Sequence, residues 1–571
     1  MSISIAEKKR KDGKNRERDI TVEGLTEFQI GTGSGKTQME MAEELGIPRT
    51  TLRDWESRKK QSACLSEAET AFFETPEGLA CLHRICLAAH TVIVFQPEKG
   101  IRGVCAFPEL SGLSMFTGNS YGAQQKIASE IEMASVHYES AQKNRLVPVM
   151  PERQVTICED ETFHPDICLV CMEPVSGFIL AEEYVQHRDA ETWNTVLEKQ
   201  LQGMPVEVIQ IVSDGAKGII NHAVQKNHAH HSPDLFHIRQ DNVRGLYPAL
   251  ENRHRQACMA SEEMHKELEG WKNRQAVYEN PESRPPGRAP DFEHHIHQAE
   301  SAYREAVDQV EAVEDAQKEV KQAIAGIRND YHPYDLHTGK SRSIEDTKKQ
   351  LEGHFDTLER VADEAGVSEK GRAKLRKARR LLPSMLATLA FFFMAVKSKI
   401  DALCLPAESE QLLYDSLIPA YYLERVAEQA QNAEQRNQLL ASARDCLNDL
   451  GSPGHPWHAL DNETRQSMER TARDCANIFQ RSSSCVEGHN GELALWHHHL
   501  HCIRPRRLQA ITVFRNYMGE KGEITAAEQF FGAKPDDLFE WLVKQVRLPP
   551  RPAKKRETAK QGIWPDIVGH A

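Results

Sequence analysis

VEVIQIVSDGAKG, residues 206–218, decides the fold. Its first seven residues read as one apolar, β-branched strand, and Ser213-Asp214-Gly215 stops that strand at a turn leading into the helical pattern AKGIINHAVQK (216–226). A strand of continuous apolar character is one buried on both faces, as happens in parallel sheets covered by crossover helices. Upstream, RQVTICEDET (153–162), DICLVCMEP (166–174) and GFILAEEYV (177–185) are β-rich runs separated by short turns at Pro165 and Ser176-Gly177. That spacing predicts an antiparallel meander. AETWNTVLEKQL (190–201) has helical periodicity, and DLFHI (234–238) reads as a last strand. The expected order is βββαβαβ, an α/β core around a mixed sheet.

The remainder of the 571 residues is organised around this core. A length of this size predicts about three or four folding units. Residues 1–62 hold a basic arm (Lys8 to Arg18) and then KTQMEMAEELGIPRTTLRDWESRKK (36–60). Apolar Met39, Met41, Ala42 and Leu45, the stop at Gly46, and a second helix with Leu52 and Trp55 inward predict a helix-turn-helix. Such a unit places its second helix in the DNA major groove, leaving Arg49, Thr50, Thr51 and Arg53 free to meet bases. Residues 63–150 read as helical, and 107–135 suit either a second DNA-binding unit or a packing linker. The core occupies 151–240, a helical insertion 241–480, the completion of the core 481–520, and a small helical unit with a basic tail 521–571.

Composition sets outer limits. An apolar fraction of 40%, a charged fraction of 27% and a mean hydropathy of −0.57 describe a soluble globular chain. MSISIAEKKRKDGKNRER turns charged before any apolar run develops, so no secretory signal is read and cytoplasmic residence is expected. The apolar stretch LLPSMLATLAFFFMAV (381–396) is short for a membrane span and contains Pro383, so it is read as a core helix and no membrane partner is expected. Thirteen cysteines without a secretory signal read as reduced thiols. The net charge of −13 opposes nucleic-acid binding on average, but local charge governs. Basic clusters at 372–380 (Lys374, Arg376, Lys377), at 504–507 (Arg504, Arg506, Arg507) and at 551–555 are candidate DNA contacts.

Three acids carry the candidate chemistry. Phosphodiester cleavage and transesterification use positive charge on both the attacking and the leaving oxygen, and two metal ions about 3.5–4 Å apart supply it. Hard Mg2+ or Mn2+ ions are held by carboxylate oxygens. Asp160 lies near the end of the first strand, Asp214 ends the apolar strand, and Glu487 begins a helical pattern in RSSSCVEGHNGELALW (481–496). Each alone is an ordinary turn or helix residue; their order on these elements is what points to a site. Glu492 is the alternative third acid, but five helical residues rotate a side chain by about 140°, so only one of the two can face the site. Small Ser482 to Ser484 and Gly488 favour Glu487.

The combined set of DET (160–162), SDG (213–215), PDLFHIRQ (233–240) and RSSSCVEGHNG (481–491) resembles the DDE transposases of bacterial insertion sequences, whose catalytic core has the RNase-H-like βββαβαβ order. The run from VEGHNG through LQAITVFRNYM to AAEQFFGAKPDDLFEWL (486–542) looks like a poorly characterised transposase-associated domain. The resemblance implies a homodimer or higher homo-oligomer that binds element-end and target double-stranded DNA in association with the bacterial nucleoid. It further implies that Asp160, Asp214 and Glu487 bind two Mg2+ (or Mn2+) ions for cleavage and strand transfer, with a helical domain inserted before the last acid. A DNA-binding relative that no longer cuts, and an RNase-H-like nuclease, are the alternatives.

Other signals are weaker. GTGSGKT (31–37) imitates a phosphate loop but has Ile30 where the full pattern requires glycine. Cys168 and Cys171 would point to opposite faces of a strand. Cys81, His83, Cys86 and His90 form a denser group open to zinc or to plain helix packing. His237 suits either a core position or a role beside the acids or DNA.

Overall fold

In the computed structural model of the chain, the described residues are 37, 39–40, 65–95, 100–163, 165–430, 432–452, 454–500, 503–519 and 524–548. The expected recognition-helix residues Arg49, Thr50, Thr51 and Arg53 and the basic tail at 551–555 lie outside them, as does the GTGSGKT segment apart from Thr37. Two compact units emerge. The first draws on Met1–Gln142, Leu495–Phe514 and Asp536–Ala571, the second on Lys143–Ala494 and Arg515–Pro535.

The first unit is helical: α1 (Glu67–Glu74), α2 (Pro76–Val94), α3 (Ile101–Leu110) and most of α4 (Tyr121–Leu146) precede the sheet. Ser66 and Glu69 form a reciprocal capping box that starts α1, and Thr75 caps α2 with Pro76 in its first turn. Residues from the far end of the chain complete this unit. The Tyr138 hydroxyl donates to the Asp536 carbonyl, and the Trp541 indole donates to the Ala134 carbonyl at 3.2 Å.

The second unit holds one five-stranded mixed sheet, so the chain is α/β. Its elements are β1 (Arg153–Phe163), β2 (Ile167–Glu173), β3 (Phe178–Val185), α5 (Ala190–Leu201), β4 (Val206–Ser213), α6 (Lys217–Asn221) and β5 (His230–Pro233). Strand order is β3-β2-β1-β4-β5; β1–β2 and β2–β3 are antiparallel, β1–β4 and β4–β5 parallel. The fifth strand is not DLFHI but HHSP. Asp234 instead caps the helix α7 (Leu235–Glu279), its side chain accepting from the Phe236 amide, so DLFHI is the first turn of a 45-residue helix. HHSP escapes an apolar-run criterion because it holds no β-branched or aliphatic residue: its buried positions are Ser232 and Pro233, and the half-buried His230 ring stacks 4.6 Å from that of Phe391.

A helical body follows: α8 (Phe292–Asp330), α9 (Ile344–Glu364), α10 (Glu369–Arg379), α11 (Leu382–Asp401), α12 (Ile418–Glu428), α13 (Ala433–Leu447) and α14 (Asn462–Ile478). α7 and α8 form an antiparallel hairpin in which Tyr278 meets Phe292 and His265 meets Tyr303. By length and composition two segments, Pro76–Val94 and Glu369–Asp401, are apolar enough to cross a membrane. Within the second, Met385, Leu389, Phe392 and Val396 of α11 are buried among Tyr331, Tyr334, Tyr422 and Phe479, which is the packing of a core helix.

The chain then returns to the sheet through α15 (Ser484–Leu500), α16 (Pro505–Tyr517) and α17 (Ala526–Phe531), and ends its described part with α18 (Leu538–Gln545). Asn516 closes the edge of β3 by accepting from the Ile179 amide at 2.8 Å and donating to its carbonyl at 2.9 Å. Phe530 stacks on Phe178 at 4.6 Å. An open strand edge is thereby blocked by a side-chain amide that mimics a neighbouring strand.

Candidate functional site

Strand register brings the acids together. The β1–β4 ladder pairs Cys158 with Val212, an offset of 212 − 158 = 54, and the same offset two residues on (214 − 160 = 54) sets Asp160 level with Asp214. The β4–β5 ladder pairs Val212 with Ser232; with the Asp234 amide donating to the Ser213 carbonyl at 2.9 Å, that offset sets Asp214 level with Asp234. On the other side Asp160 pairs with Val170, and Val170 with Glu182. Laterally paired residues project from the same face of a sheet, about 4.8 Å apart per strand. One row of carboxyl groups therefore crosses the sheet, interrupted only by Val170. Gly215, at φ +83°, makes the left-handed turn that carries the chain away immediately after Asp214.

α15 lies over this row. His489 contacts Glu182 at 2.7 Å, with both side chains buried, and Asn490 donates from Nδ2 to Asp160 Oδ2 at 2.8 Å. Glu487 is three residues before Asn490 and so shares its helix face. Its Oε1 is 3.4 Å from His237 Nε2. Glu492 is elsewhere: it is exposed and ion-paired with Arg515.

Asp234, His237 and Glu487 bring ligand atoms within 4.8 Å of one another, the one such group among the described residues. Asp234 is nevertheless a poor ligand. Oδ1 accepts from the amides of Phe236 and Ser483, while Oδ2 accepts from the Ser483 hydroxyl and faces His237 Nδ1 at 2.7 Å. With its lone pairs committed, Asp234 orients His237, the arrangement by which carboxylates fix the tautomer and direction of a ligating imidazole. Asp160 and Asp214 lie outside that group of ligand atoms: Asp214 Oδ1 accepts from the Ala216 amide at 2.8 Å, and Asp160 Oδ2 from Asn490.

Electrostatics agree with a site short of positive charge. Burial pushes the Asp160 carboxyl up to about 7; the charges of Glu487 and Asp214 add to this, while the Glu161 backbone hydrogen bond and His237 oppose it. Glu487 is also raised, chiefly by burial, then by Asp234 and Asp214 against the lowering effect of His237. His237 is raised by its hydrogen bond to Asp234. For Asp234 burial acts upward, but hydrogen bonds from His237, Ser483 and Phe236 outweigh it and hold the group below its ordinary value. Converging carboxylates with raised pKa values are the donor set that a hard divalent cation fits.

The basic candidates are placed less favourably. Arg376 pairs with Glu369 and Lys377 with Asp241 at 3.1 Å, so much of the charge of α10 is already neutralised; Lys374 has no carboxylate partner among the described residues. In the first unit, Arg507 is turned inward: it donates to the Val94 carbonyl, approaches Glu132 and lies over Phe95, which corrects its expected role at DNA. Arg506 pairs with Glu132 at 3.4 Å, and Arg504 is exposed. Cys81, His83, Cys86 and His90 do not converge, because His83 bonds the Val546 carbonyl and His90 bonds Gln124. Sequence reasoning missed Asn490 and Asp234. The three-residue step from Glu487 to Asn490 was available as a signal; Asp234 was hidden by reading DLFHI as a strand.

A family profile, DUF6399, described as a family of unknown function, matches residues 413–558. No curated protein and no solved structure matches the chain.

Proposed function

We propose that this chain is a metal-dependent polynucleotidyl transferase of the DDE transposase class, built on an RNase-H-like core, that cuts and joins double-stranded DNA. One observation carries the reading: the register of the parallel β1–β4 ladder, extended two residues past its last pair, sets Asp160 level with Asp214 just beyond β4, and Glu487, 487 − 214 = 273 residues later, lies on a helix hydrogen-bonded to Asp160 itself. Strand order β3-β2-β1-β4-β5 supports it, since that order with three antiparallel strands followed by two parallel ones is the RNase H arrangement.

Asp160, Asp214 and Glu487 would hold Mg2+ or Mn2+. Such ions, when bound, activate the attacking oxygen and neutralise charge on the leaving one. The chain's own residues prepare the site. Asn490 fixes the rotamer of Asp160, Asp234 aims His237, and the buried Glu182–His489 pair anchors α15 so that Glu487 cannot drift. His237, its Nδ1 held by Asp234, turns Nε2 towards the site beside Glu487. DNA, a helix-turn-helix at 36–60, two ions and a homo-oligomeric state belong to this proposal.

The test is nicking of DNA carrying the ends that flank the coding region. Asp160→Asn, Asp214→Asn and Glu487→Gln should each abolish Mg2+-dependent cleavage while leaving end binding intact, and Glu492→Gln should cut normally. Cleavage surviving all three changes would refute the proposal; binding without cleavage by the unaltered protein would leave a DNA-binding protein instead.

A further inference from the structure

A cavity of about 810 Å³ lies in the second unit, and Arg239, Lys321, Arg328, Arg425 and Arg481 are among the residues that line it. Among the described residues no aspartate or glutamate lines it, in a chain that carries 84 acids and a net charge of −13. Arg239, Lys321 and Arg328 are exposed at its rim, whereas Arg425 and Arg481 are deeper. The deep pair lacks the usual compensation. Arg481 donates to the carbonyls of Arg328 and Tyr331 at 2.5 and 2.7 Å, and Arg425 to the side-chain oxygen of Asn477. Dipoles satisfy hydrogen bonds without cancelling a charge, and burying an unpaired guanidinium is costly. Burial lowers the pKa of both, and at Arg425 the charges of Glu173 and Glu428 oppose this without outweighing it.

The cavity also has a polar reader. Asn242 is 1% exposed, lines the cavity, and has no hydrogen-bond partner at either Oδ1 or Nδ2. A buried side-chain amide costs free energy unless it is satisfied, and its adjacent donor and acceptor match the edge of a nucleobase, adenine above all. Phe236 and Tyr247 supply aromatic wall on which a base can stack.

We propose that this cavity is a nucleotide site, in which the arginines and Lys321 take the phosphate and Asn242 reads the base. The ligand chemistry is a nucleoside phosphate, either free or as one unit of a nucleic-acid strand. The wall includes Phe236 and Cys485, which precede His237 and Glu487 by one and two residues, but the inference uses none of the site carboxylates and does not depend on their chemistry.

Calorimetric titration of the full-length protein in EDTA, which removes any metal contribution, tests it with three probes: ATP, 5′-phosphorylated oligodeoxyadenylate and tripolyphosphate. ATP or the oligonucleotide should bind at least tenfold more tightly than tripolyphosphate, and the tighter of the two identifies the source. Combined Lys321→Gln and Arg328→Gln, both at exposed positions, should weaken binding at least tenfold, and Asn242→Leu should bring ATP and tripolyphosphate closer together. Asp160→Asn should bind as the unaltered protein does, so that failure of the carboxylate site is read separately. The inference is overturned if neither nucleoside probe binds, if tripolyphosphate binds equally well, or if the rim double variant is without effect; that variant carries the test should Asn242→Leu not fold.

Discussion

Asp160→Asn should stabilise the metal-free protein. The Asp160 carboxyl is pushed to about 7 in the fold against an ordinary value of 3.8. At 1.36 kcal/mol per pH unit, the penalty for keeping it ionised in the native state at neutral pH is at most about 4 kcal/mol. The folded pKa is the higher one, so the native state binds the extra proton. The penalty is absent below pH 3.8, grows as pH rises, and is complete above about 7. Asparagine removes the charge but keeps an oxygen to accept from Asn490 Nδ2, so the existing hydrogen bond survives. After allowance for relaxation and water around a partly accessible group, a gain of about 1–3 kcal/mol is expected at pH 7.5 in EDTA. Divalent metal should reverse the ranking, because a cation that binds only the native state stabilises it by mass action and the variant has lost a ligand. Urea unfolding of both proteins in EDTA and in 10 mM-range Mg2+ or Mn2+, followed by tryptophan fluorescence to which buried Trp193 contributes, measures both effects. Equal or lower stability of the variant in EDTA, together with an equal response to metal, would refute the view of this row as an uncompensated cation site.

Further outcomes are open to measurement. Asp234→Asn should weaken Mn2+ binding by about 10- to 100-fold in a calorimetric titration by releasing His237, and an unchanged Kd would remove its orienting role. Lys374→Glu should lower the slope of log K against log salt for DNA by about 0.9 if that residue meets one phosphate, while Arg376→Glu, already paired with Glu369, should do less; identical slopes would show a merely solvated face. Acid should destabilise the fold through His90, whose pKa burial lowers to about 4 from 6.5. The neutral form is the native one, so its contribution is present above pH 6.5 and is lost as pH falls towards 4, about 2 kcal/mol by pH 5. His90→Gln, which keeps a donor to Gln124, should flatten the fall in urea-unfolding stability between pH 7 and 5, and an unaltered fall would place the titration elsewhere.

Much of the site was legible because strands and turns are local. The β-branched run before Ser213-Asp214-Gly215 becomes β4, and AETWNTVLEKQL becomes α5 with Asp189 as its cap. The 54 residues between Asp160 and Asp214 leave room for two strands and a helix, so their strands could be read as neighbours, but the register that levels them depends on the shift from an offset of 53 to 54 between Val155 and Thr156. β5 was misplaced because HHSP has no apolar pattern of its own, and its His230 is held by Phe391 and Thr388, residues some 160 positions away. The charge of 372–380 was legible as composition, but not its neutralisation by Asp241, which lies on another helix.

Sequence by itself determined the three-stranded meander, α5 and β4, because β-branched runs, turns and helix periodicity are set by neighbours along the chain. Tertiary structure alone decided that Asp160 and Asp214 fall level, that Glu487 rather than Glu492 lies beside His237, that Asn490 holds Asp160, and that Asp234 hydrogen-bonds His237 and Ser483. The last three depend on how α15 and the start of α7 dock on one sheet face, and docking is fixed by the burial of side chains contributed from hundreds of residues apart.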